Sequence, residues 1–433
     1  MTALLVRLSG RASVVYFLCL LGLITSLIFV FLMFPKMSSS EHLVVDSDSF
    51  GPIAQGILHY HAFSYYPDRV PTLDRGPAYP ALIAVALMIS NGWWPGSVQL
   101  TQCFLFALTV LMLFWLASAF WGRTIGLVAA ALATVHPFLL WYCSRIWVET
   151  LSMFLFTGAI TAAMAFHRRP TWWRALLVGV TLGIAALCKQ TFLPFAVILP
   201  AALWLVKGNA SRIKMLAAAC LLATLIVFPW TARNYMLSGR IVPVQGKMGQ
   251  NMEFGDTVVS SFRQHPFSMY GLWEADAPNQ IAVRASVPKS LKGADKELAI
   301  DSAYLKMCKD RYRSHPGFLV KKMGMNLALF WMLSETPKKS MVLALLQLPL
   351  LAVFAFCAFR NIRRYGLRSI HGFIVAMVLA FWFLHLPVLS IARYSNALIP
   401  TIFMYAFGIL EPVFRFKDGA DARPGGVRVS QAQ

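Results

Sequence analysis

Acidic residues are scarce in this chain. Only 18 of its 433 residues are Asp or Glu, against 39 Lys and Arg, and all charged residues together make up 13% of the composition. With 58% hydrophobic residues, this composition excludes an ordinary soluble enzyme and indicates a polytopic membrane protein. The basic excess does not indicate nucleic-acid binding, because the Lys and Arg residues gather in short turns between apolar runs, where they set membrane orientation and meet anionic lipid headgroups.

Cysteine is sparse as well. Of the seven cysteines, only Cys308 lies in a long polar stretch, and the others fall within apolar runs. This distribution does not indicate a disulfide framework. The histidines show no recognisable zinc spacing, so no cofactor is predicted with certainty, and a divalent metal ion held by carboxylates stays open.

Ten apolar runs are predicted to cross the membrane, although some are short of the roughly 20 residues that a span needs. The first run follows Arg7 and Arg11; it is too long for the apolar core of a cleaved signal peptide and is not followed by a small-residue cleavage site. It is therefore predicted to be an uncleaved helix with its N-terminus inside. The predicted spans are residues 13–34, 97–121, 125–142, 148–166, 175–188, 191–206, 215–231, 341–359, 372–391 and 397–410.

The basic turns define a predicted orientation, because Lys and Arg in short loops mark the cytoplasmic side. All the basic turns fall on the cytoplasmic side if the short apolar stretches 78–89 and 323–333 are interfacial or half-inserted helices and not full spans. Residues 1–412 then form one membrane domain with two outward loops, 35–96 and 233–340. Residues 413–433 are predicted to be a short, basic, disordered cytoplasmic tail.

Most of the rare charged residues close to the apolar interior fall on the outward side. A charged side chain at the bilayer centre costs about 2.5–3.5 kcal/mol on insertion scales, so such residues usually line a functional cavity. The set comprises Asp46, Arg75, Glu149, Lys189, Arg233 and Arg393.

Each of these residues, taken singly, has an ordinary structural explanation. Asp46 suits a helix cap, Arg75 suits an anchor of an interfacial helix, and Glu149 suits an ion pair with the nearby Arg145. A catalytic or transport site at one membrane face is therefore an inference from the whole set.

The order of the motifs resembles the GT-C glycosyltransferases, and more narrowly the bacterial branch related to protein O-mannosyltransferases and to the aminoarabinose transferase of lipid A. The elements that carry this resemblance are Asp46-Ser47-x-x-Phe50-x-x-x-Ala54, Arg75-Gly76-Pro77-Ala78-Tyr79-Pro80, His136-Pro137 with Glu149-Thr150, Pro229-Trp230-Thr231-Ala232-Arg233-Asn234-Tyr235, and Arg393-Tyr394 with Pro400.

The resemblance implies an all-α GT-C bundle of about ten spans, with interfacial helices in the first outward loop. It implies an inverting enzyme that moves a sugar from a polyprenyl-phosphate donor to a lipid, glycan or protein acceptor, in the bacterial inner membrane with the site facing the periplasm. Asp46 is the implied general base, and Asp48 is close enough in sequence to exchange roles with it. Glu149 is the implied second acidic residue, which orients the acceptor or a metal ion.

The resemblance also assigns the basic residues. The implied ligands of the donor phosphate are four cations and one tyrosine, namely Arg75, Lys189, Arg233, Arg393 and Tyr394. Cations at these positions stabilise charge on a departing phosphate.

Asn251 and Tyr79 are assigned to the substrate loops. Two other functions fit a polytopic protein with a basic cavity, namely a flippase or transporter for a lipid-linked sugar and an O-antigen ligase or polymerase. No internal repeat of the kind common in transporters is visible.

Overall fold

The protein is described by a computed structural model that covers residues 13–41, 45–206 and 208–414. Within these ranges the chain is almost entirely helical and contains no β-strand, which confirms the predicted all-α class. A π-helical turn, Phe29–Met33, joins the first two helices, and 3-10 turns are found at Gln190–Phe192, Ala392–Ala397 and Phe407–Leu410. The α-helices are α1 (Ser13–Ile28), α2 (Phe34–Glu41), α3 (Phe50–Tyr60), α4 (Ala78–Ile89), α5 (Gly96–Trp121), α6 (Arg123–Ala133), α7 (Pro137–Ser144), α8 (Glu149–Arg168), α9 (Trp172–Cys188), α10 (Phe195–Val206), α11 (Ala210–Ser238), α12 (Met248–Ser261), α13 (Met269–Ser286), α14 (Gly293–Ser314), α15 (Pro316–Met332), α16 (Pro337–Tyr365), α17 (Ile370–Leu384) and α18 (Ile399–Ala406).

Five helices in the described residues are long and apolar enough to cross a membrane: Ser13–Met37, α5, α8, α11 and α16. Helices α6 and α7, bent by 51° where they meet, form a sixth span if they are taken together. The other four predicted spans are also helical but shorter. The predicted span 372–391 ends early, at Leu384, because Pro387 has no N–H to continue a helix and restricts the residue before it. The chain is an integral membrane protein with fewer full-length spans than the ten predicted.

Helix α8 lies at the centre of the bundle and packs against α5 and α9. Helices α9 and α11 approach closely at Gly179 and Gly183, where a Cβ atom would lie 2.6 Å from the Ala219 carbonyl oxygen and 2.8 Å from Ile226 Cβ. Small residues spaced four apart allow such contacts between membrane helices. This packing fixes the end of α9 beside the start of α8.

The predicted outward loop 233–340 is not irregular, because it contains helices α12–α15. A buried ion network holds them together: the Arg311 guanidinium contacts both Glu253 and Asp256, and Lys322 Nζ lies 2.8 Å from Asp256 Oδ1. Glu253, Asp256 and Cys308 lie close enough to share a metal ion. Because two cations already neutralise the two carboxylates, we interpret the group as a structural network.

Basic residues also lie at the opposite end of the bundle, away from helices α12–α15. Arg168 donates to the Ala119 carbonyl and Arg360 to the Gly408 carbonyl. Apart from residues 413 and 414, the predicted basic tail lies outside the described residues.

Candidate functional site

A cavity of about 250 Å³, here called the polar cavity, lies where α8 begins and α9 ends. It brings together seven of the ten predicted site residues, from six separate parts of the chain. These residues are Asp48, Arg75, Glu149, Lys189, Asn251, Arg393 and Tyr394. The other three, Asp46, Tyr79 and Arg233, do not line it.

Arg393 lies between the two acidic groups of the polar cavity. Its Nη2 atom is 2.9 Å from Asp48 Oδ2, and its Nε atom is 3.5 Å from Glu149 Oε1. The guanidinium also lies against the Trp147 ring, 4.8 Å from the ring centroid. Since all three side chains are mostly buried, one cation holds two carboxylates at fixed positions.

Glu149 is the most deeply buried charge of the site. It is the first residue of α8, its side chain is 2% exposed, and its Oε1 lies 3.5 Å from Lys189 Nζ. Neither carboxylate oxygen accepts a hydrogen bond from any residue that the structure describes. Buried carboxylates without hydrogen bonds are costly, so these oxygens are suited to receive the hydroxyl groups of a ligand. The predicted pair with Arg145 does not form, because Arg145 is directed towards Glu335 instead.

Two lysines form the basic wall of the polar cavity. Lys189 Nζ lies 3.9 Å from the centroid of the Tyr394 ring. Lys247 Nζ lies 2.8 Å from Asp74 Oδ2, which also accepts a hydrogen bond from the Tyr65 hydroxyl at 2.8 Å. Burial and the like positive charge of Arg75 lower the pKa of Lys247. The sequence reasoning missed Lys247, although it stands in the Gly-rich segment, predicted to face outward, that contains Asn251.

Asp46 does not line the polar cavity. Its two carboxylate oxygens accept hydrogen bonds from the backbone N–H groups of Phe50 (3.0 Å) and Gly51 (2.7 Å). It therefore stabilises the start of α3, as a helix-capping residue does. The cap orients the turn that carries the next acidic residue.

Asp48 is the aspartate that points into the cavity. Burial alone would raise its pKa, but the charges of Arg393 and Arg75 outweigh that effect and hold the pKa below its usual value. Arg75 also donates to the Asp48 carbonyl oxygen through Nη2, at 2.9 Å, and lies against the Phe50 ring. The carboxylate is thus ionised at neutral pH and fixed by its neighbours.

Arg233 and Tyr79 support the loops from outside the cavity. Arg233 Nη1 donates to the Thr72 carbonyl at 2.9 Å, and its guanidinium lies against the Trp230 ring. The Tyr79 hydroxyl donates to Gln102 Oε1 at 3.0 Å, and its side chain is completely buried. Arg233 thus holds the segment between α3 and α4 in place, and Tyr79 joins α4 to α5.

A second, larger cavity of about 630 Å³, here called the apolar groove, lies on the other side of Asp48 and Arg393, which line both spaces. Its walls include Phe29, Phe138 and Leu343, which belong to membrane helices. The two cavities therefore meet at one ion pair.

The residues of the polar cavity do not fit a divalent metal ion. The carboxylates of Asp48 and Glu149 both face the Arg393 guanidinium, and the oxygens of Asp46 are occupied by backbone N–H groups. A divalent cation prefers several carboxylate, carbonyl or water oxygens and no competing cation. Here Arg393 occupies the position between the carboxylates that such an ion would take.

The fold is similar to that of solved GT-C glycosyltransferases. The oligosaccharyltransferase AglB from Archaeoglobus fulgidus, in complex with an inhibitory peptide and a dolichol-phosphate, superposes with a TM-score of 0.56 at 14% identity, over 96% of this chain and 52% of that one. An Archaeoglobus fulgidus oligosaccharyltransferase tethered to an acceptor peptide with the NVT sequon also gives a TM-score of 0.56 at 14% identity, over 95% of this chain and 51% of that one. The chain thus spans about half the length of these relatives.

ArnT from Cupriavidus metallidurans bound to undecaprenyl phosphate also matches, over 95% of this chain and 79% of that one, at 12% identity. Its TM-score of 0.43 is too low to carry an argument. No family model matches the chain, and no curated protein matches its sequence. At these identities the AglB comparisons show the fold alone, and the fold is the GT-C fold that the motifs predict.

Proposed function

We propose that this protein is an inverting glycosyltransferase that moves a sugar from a polyprenyl-phosphate donor to an acceptor. One observation carries the proposal: two carboxylates and four cations from distant segments meet in one cavity at the end of an apolar bundle. The geometry favours phosphate and hydroxyl chemistry, because the cations can hold an anion beside carboxylates that can accept protons.

The polar cavity is assigned to the donor. Lys189, Lys247 and Arg393 present their charges to it, which suits a phosphate group. Leu384 and Val388 form part of its apolar wall, where the first isoprene units of the donor can lie. The solved AglB structure contains a dolichol-phosphate, which supports a lipid phosphate as the donor in the same fold.

Asp48 is the proposed general base, because it lines both cavities and is ionised at neutral pH. The acceptor hydroxyl oxygen attacks the anomeric carbon, its proton passes to an Asp48 oxygen, and the bond from that carbon to the phosphate oxygen breaks. The electron pair stays on the leaving polyprenyl phosphate, where Arg393 and Lys189 stabilise the charge. Attack from the groove side, opposite the phosphate, inverts the anomeric centre. Glu149 orients donor hydroxyl groups through its two oxygens.

The site end is proposed to face the periplasm or an equivalent outer compartment. Arg168 and Arg360 stand at the opposite end of the bundle, as expected for the cytoplasmic side. A bacterial inner membrane is the proposed location.

Sugar transfer in membranes tests the proposal directly. Membranes with the wild-type chain are given a panel of radiolabelled polyprenyl-phosphate sugars, and the label is followed into host lipids, glycans and proteins. We expect transfer that Asp48→Asn and Glu149→Gln abolish at unchanged protein level, while Asp46→Asn retains measurable activity. Lys289→Met, an exposed charge remote from the site, is the matched control and should match wild type.

Three results would contradict this assignment. If the donor crosses the membrane without any sugar transfer, the protein is a flippase. If label appears only from a lipid-linked oligosaccharide, it is a ligase or polymerase. If Asp46→Asn alone abolishes transfer, the base is Asp46 and not Asp48.

A further inference from the structure

The apolar groove contains a buried cation, Arg145, with two guanidinium nitrogens that make no hydrogen bond to the described residues. The Arg145 side chain is 2% exposed, and its nearest carboxylate, Glu335, is 3.9 Å from Nη1, beyond hydrogen-bond distance. Neither Nε nor Nη1 of Arg145 donates a hydrogen bond to any described residue. Because a buried, unsatisfied guanidinium is costly, these two donors indicate an anionic ligand.

The position of Arg145 is fixed by its surroundings. The guanidinium carbon lies 4.2 Å from the centroid of the Trp147 ring, the same ring that Arg393 contacts at 4.8 Å. The Trp147 Nε1 atom in turn donates to Ser47 Oγ at 2.8 Å. Arg145 and Arg393, the cation that pairs with Asp48, thus lie against the same indole ring.

The groove as a whole is positively charged at its polar end and apolar along its walls. Four cations and two carboxylates line it, which gives a net charge of +2; they are Arg145, Lys338, Lys339, Arg393, Asp48 and Glu335. The apolar walls come from three membrane segments, and Val342, at the rim, is 52% exposed. A membrane-facing apolar wall below a basic end is complementary to an amphiphile with an anionic headgroup.

We propose that the apolar groove binds the acceptor and that this acceptor is a membrane lipid with a phosphate in its headgroup. The proposal rests on the glycosyltransferase function above, in which the donor occupies the polar cavity. Arg145 and Lys338 hold the phosphate, the acyl chains lie along the wall formed by α7 and α16, and a headgroup hydroxyl reaches Asp48. A peptide fits the groove less well, because its backbone polar groups would lie against apolar walls without partners.

Lipid binding by the purified full-length chain in detergent micelles tests this proposal without requiring transfer. The probe is phosphatidic acid with a fluorescent acyl chain, compared with diacylglycerol that carries the same fluorophore. We expect phosphatidic acid to bind at least about tenfold more tightly, as the charge-assisted hydrogen bonds of one buried guanidinium allow. Arg145→Met should abolish that preference, and Arg145→Lys should retain part of it.

Lys338→Met addresses the risk that Arg145→Met does not fold, because Lys338 is exposed at the rim of the groove. This variant should weaken phosphatidic acid binding severalfold, and Lys289→Met should leave it unchanged. Equal binding of the two lipids, or a preference that survives both Arg145→Met and Lys338→Met, would overturn the proposal. Competition by inorganic phosphate as effective as that by phosphatidic acid would show an anion site without a lipid, and would overturn it too.

A second ligand separates this inference from the proposed function. Farnesyl phosphate stands in for the donor, and its binding should fall in Lys189→Met and persist in Arg145→Met. If Arg145→Met removes farnesyl phosphate binding, the groove is the donor site and the acceptor assignment is wrong. If farnesyl phosphate does not bind at all while the phosphatidic acid preference stands, the proposed function fails and the lipid site remains.

Discussion

Arg393 provides the sharpest test of the site, because one guanidinium contacts both carboxylates. Arg393→Met keeps much of the side-chain volume but removes contacts of 2.9 Å to Asp48 and 3.5 Å to Glu149. Loss of one preorganised electrostatic partner of a reaction typically lowers kcat by about 10²–10³, and we expect that loss here. Arg393→Lys should recover little, since a single ammonium cannot donate to two separate groups in a fixed geometry.

The same substitution should destabilise the fold. The Asp48 and Glu149 side chains are 13% and 2% exposed, and removal of one partner from a buried ion pair costs roughly 3–5 kcal/mol. The double variant Arg393→Met/Asp48→Asn should regain part of this stability, because it neutralises one of the two carboxylates that lost the Arg393 contact. It should regain no activity, because the proposed base is lost as well.

Two assays are needed, one for the transfer rate and one for the stability of the fold. Transfer is measured under single-turnover conditions in nanodiscs, so that product release does not mask the chemical step. Unfolding is followed with a thiol-reactive dye, which reports the exposure of the five buried cysteines on heating. A wild-type transfer rate in Arg393→Met would refute the electrostatic role, and strictly additive losses in the double variant would refute the contact with Asp48.

Three further predictions follow from the same geometry. Because Arg393 and Arg75 hold the pKa of Asp48 below its ordinary value of 3.8, the stability that this carboxylate contributes is present above that value and lost only as the pH falls through the lower folded pKa. The acidic limb of the pH–rate profile should therefore move to higher pH in Arg393→Met, and an unmoved limb would argue against Asp48 as the base. Lys247→Met removes one cation of the polar cavity and the ion-pair partner of Asp74 at 2.8 Å, so farnesyl phosphate affinity should fall about tenfold in a titration, as expected for one lost charge-assisted contact. Chelation with EDTA should leave transfer unchanged, and activity restored only by a divalent ion would show that Arg393 does not fill the place of a metal.

Part of the architecture could be predicted residue by residue. Long apolar runs such as 97–121 form helices wherever they meet lipid or each other, because every backbone polar group in a membrane must be satisfied internally. The prediction was wrong about the length of 372–391, where Pro387 ends the helix early. The stretch 323–333 was predicted as a short helix and lies in α15 apart from its last residue, but helices α12, α13 and α14 were not foreseen, because polar segments carry no strong apolar period.

Only part of the candidate site could be predicted, because the sequence shows which charged residues stand at helix ends but not which of them are in contact. Composition and motif order are enough to show that this is a helical membrane protein with its rare charges at helix ends, because burial of a charge in lipid is costly. Which of these charges meet depends on how the helices pack. The folded chain places Arg233 on the Thr72 carbonyl and Lys247 in the polar cavity, since distances between segments far apart in the sequence depend on packing. Arg145 is buried in the apolar groove, and its Nε and Nη1 atoms donate no hydrogen bond to any described residue. The local sequence does not encode this property.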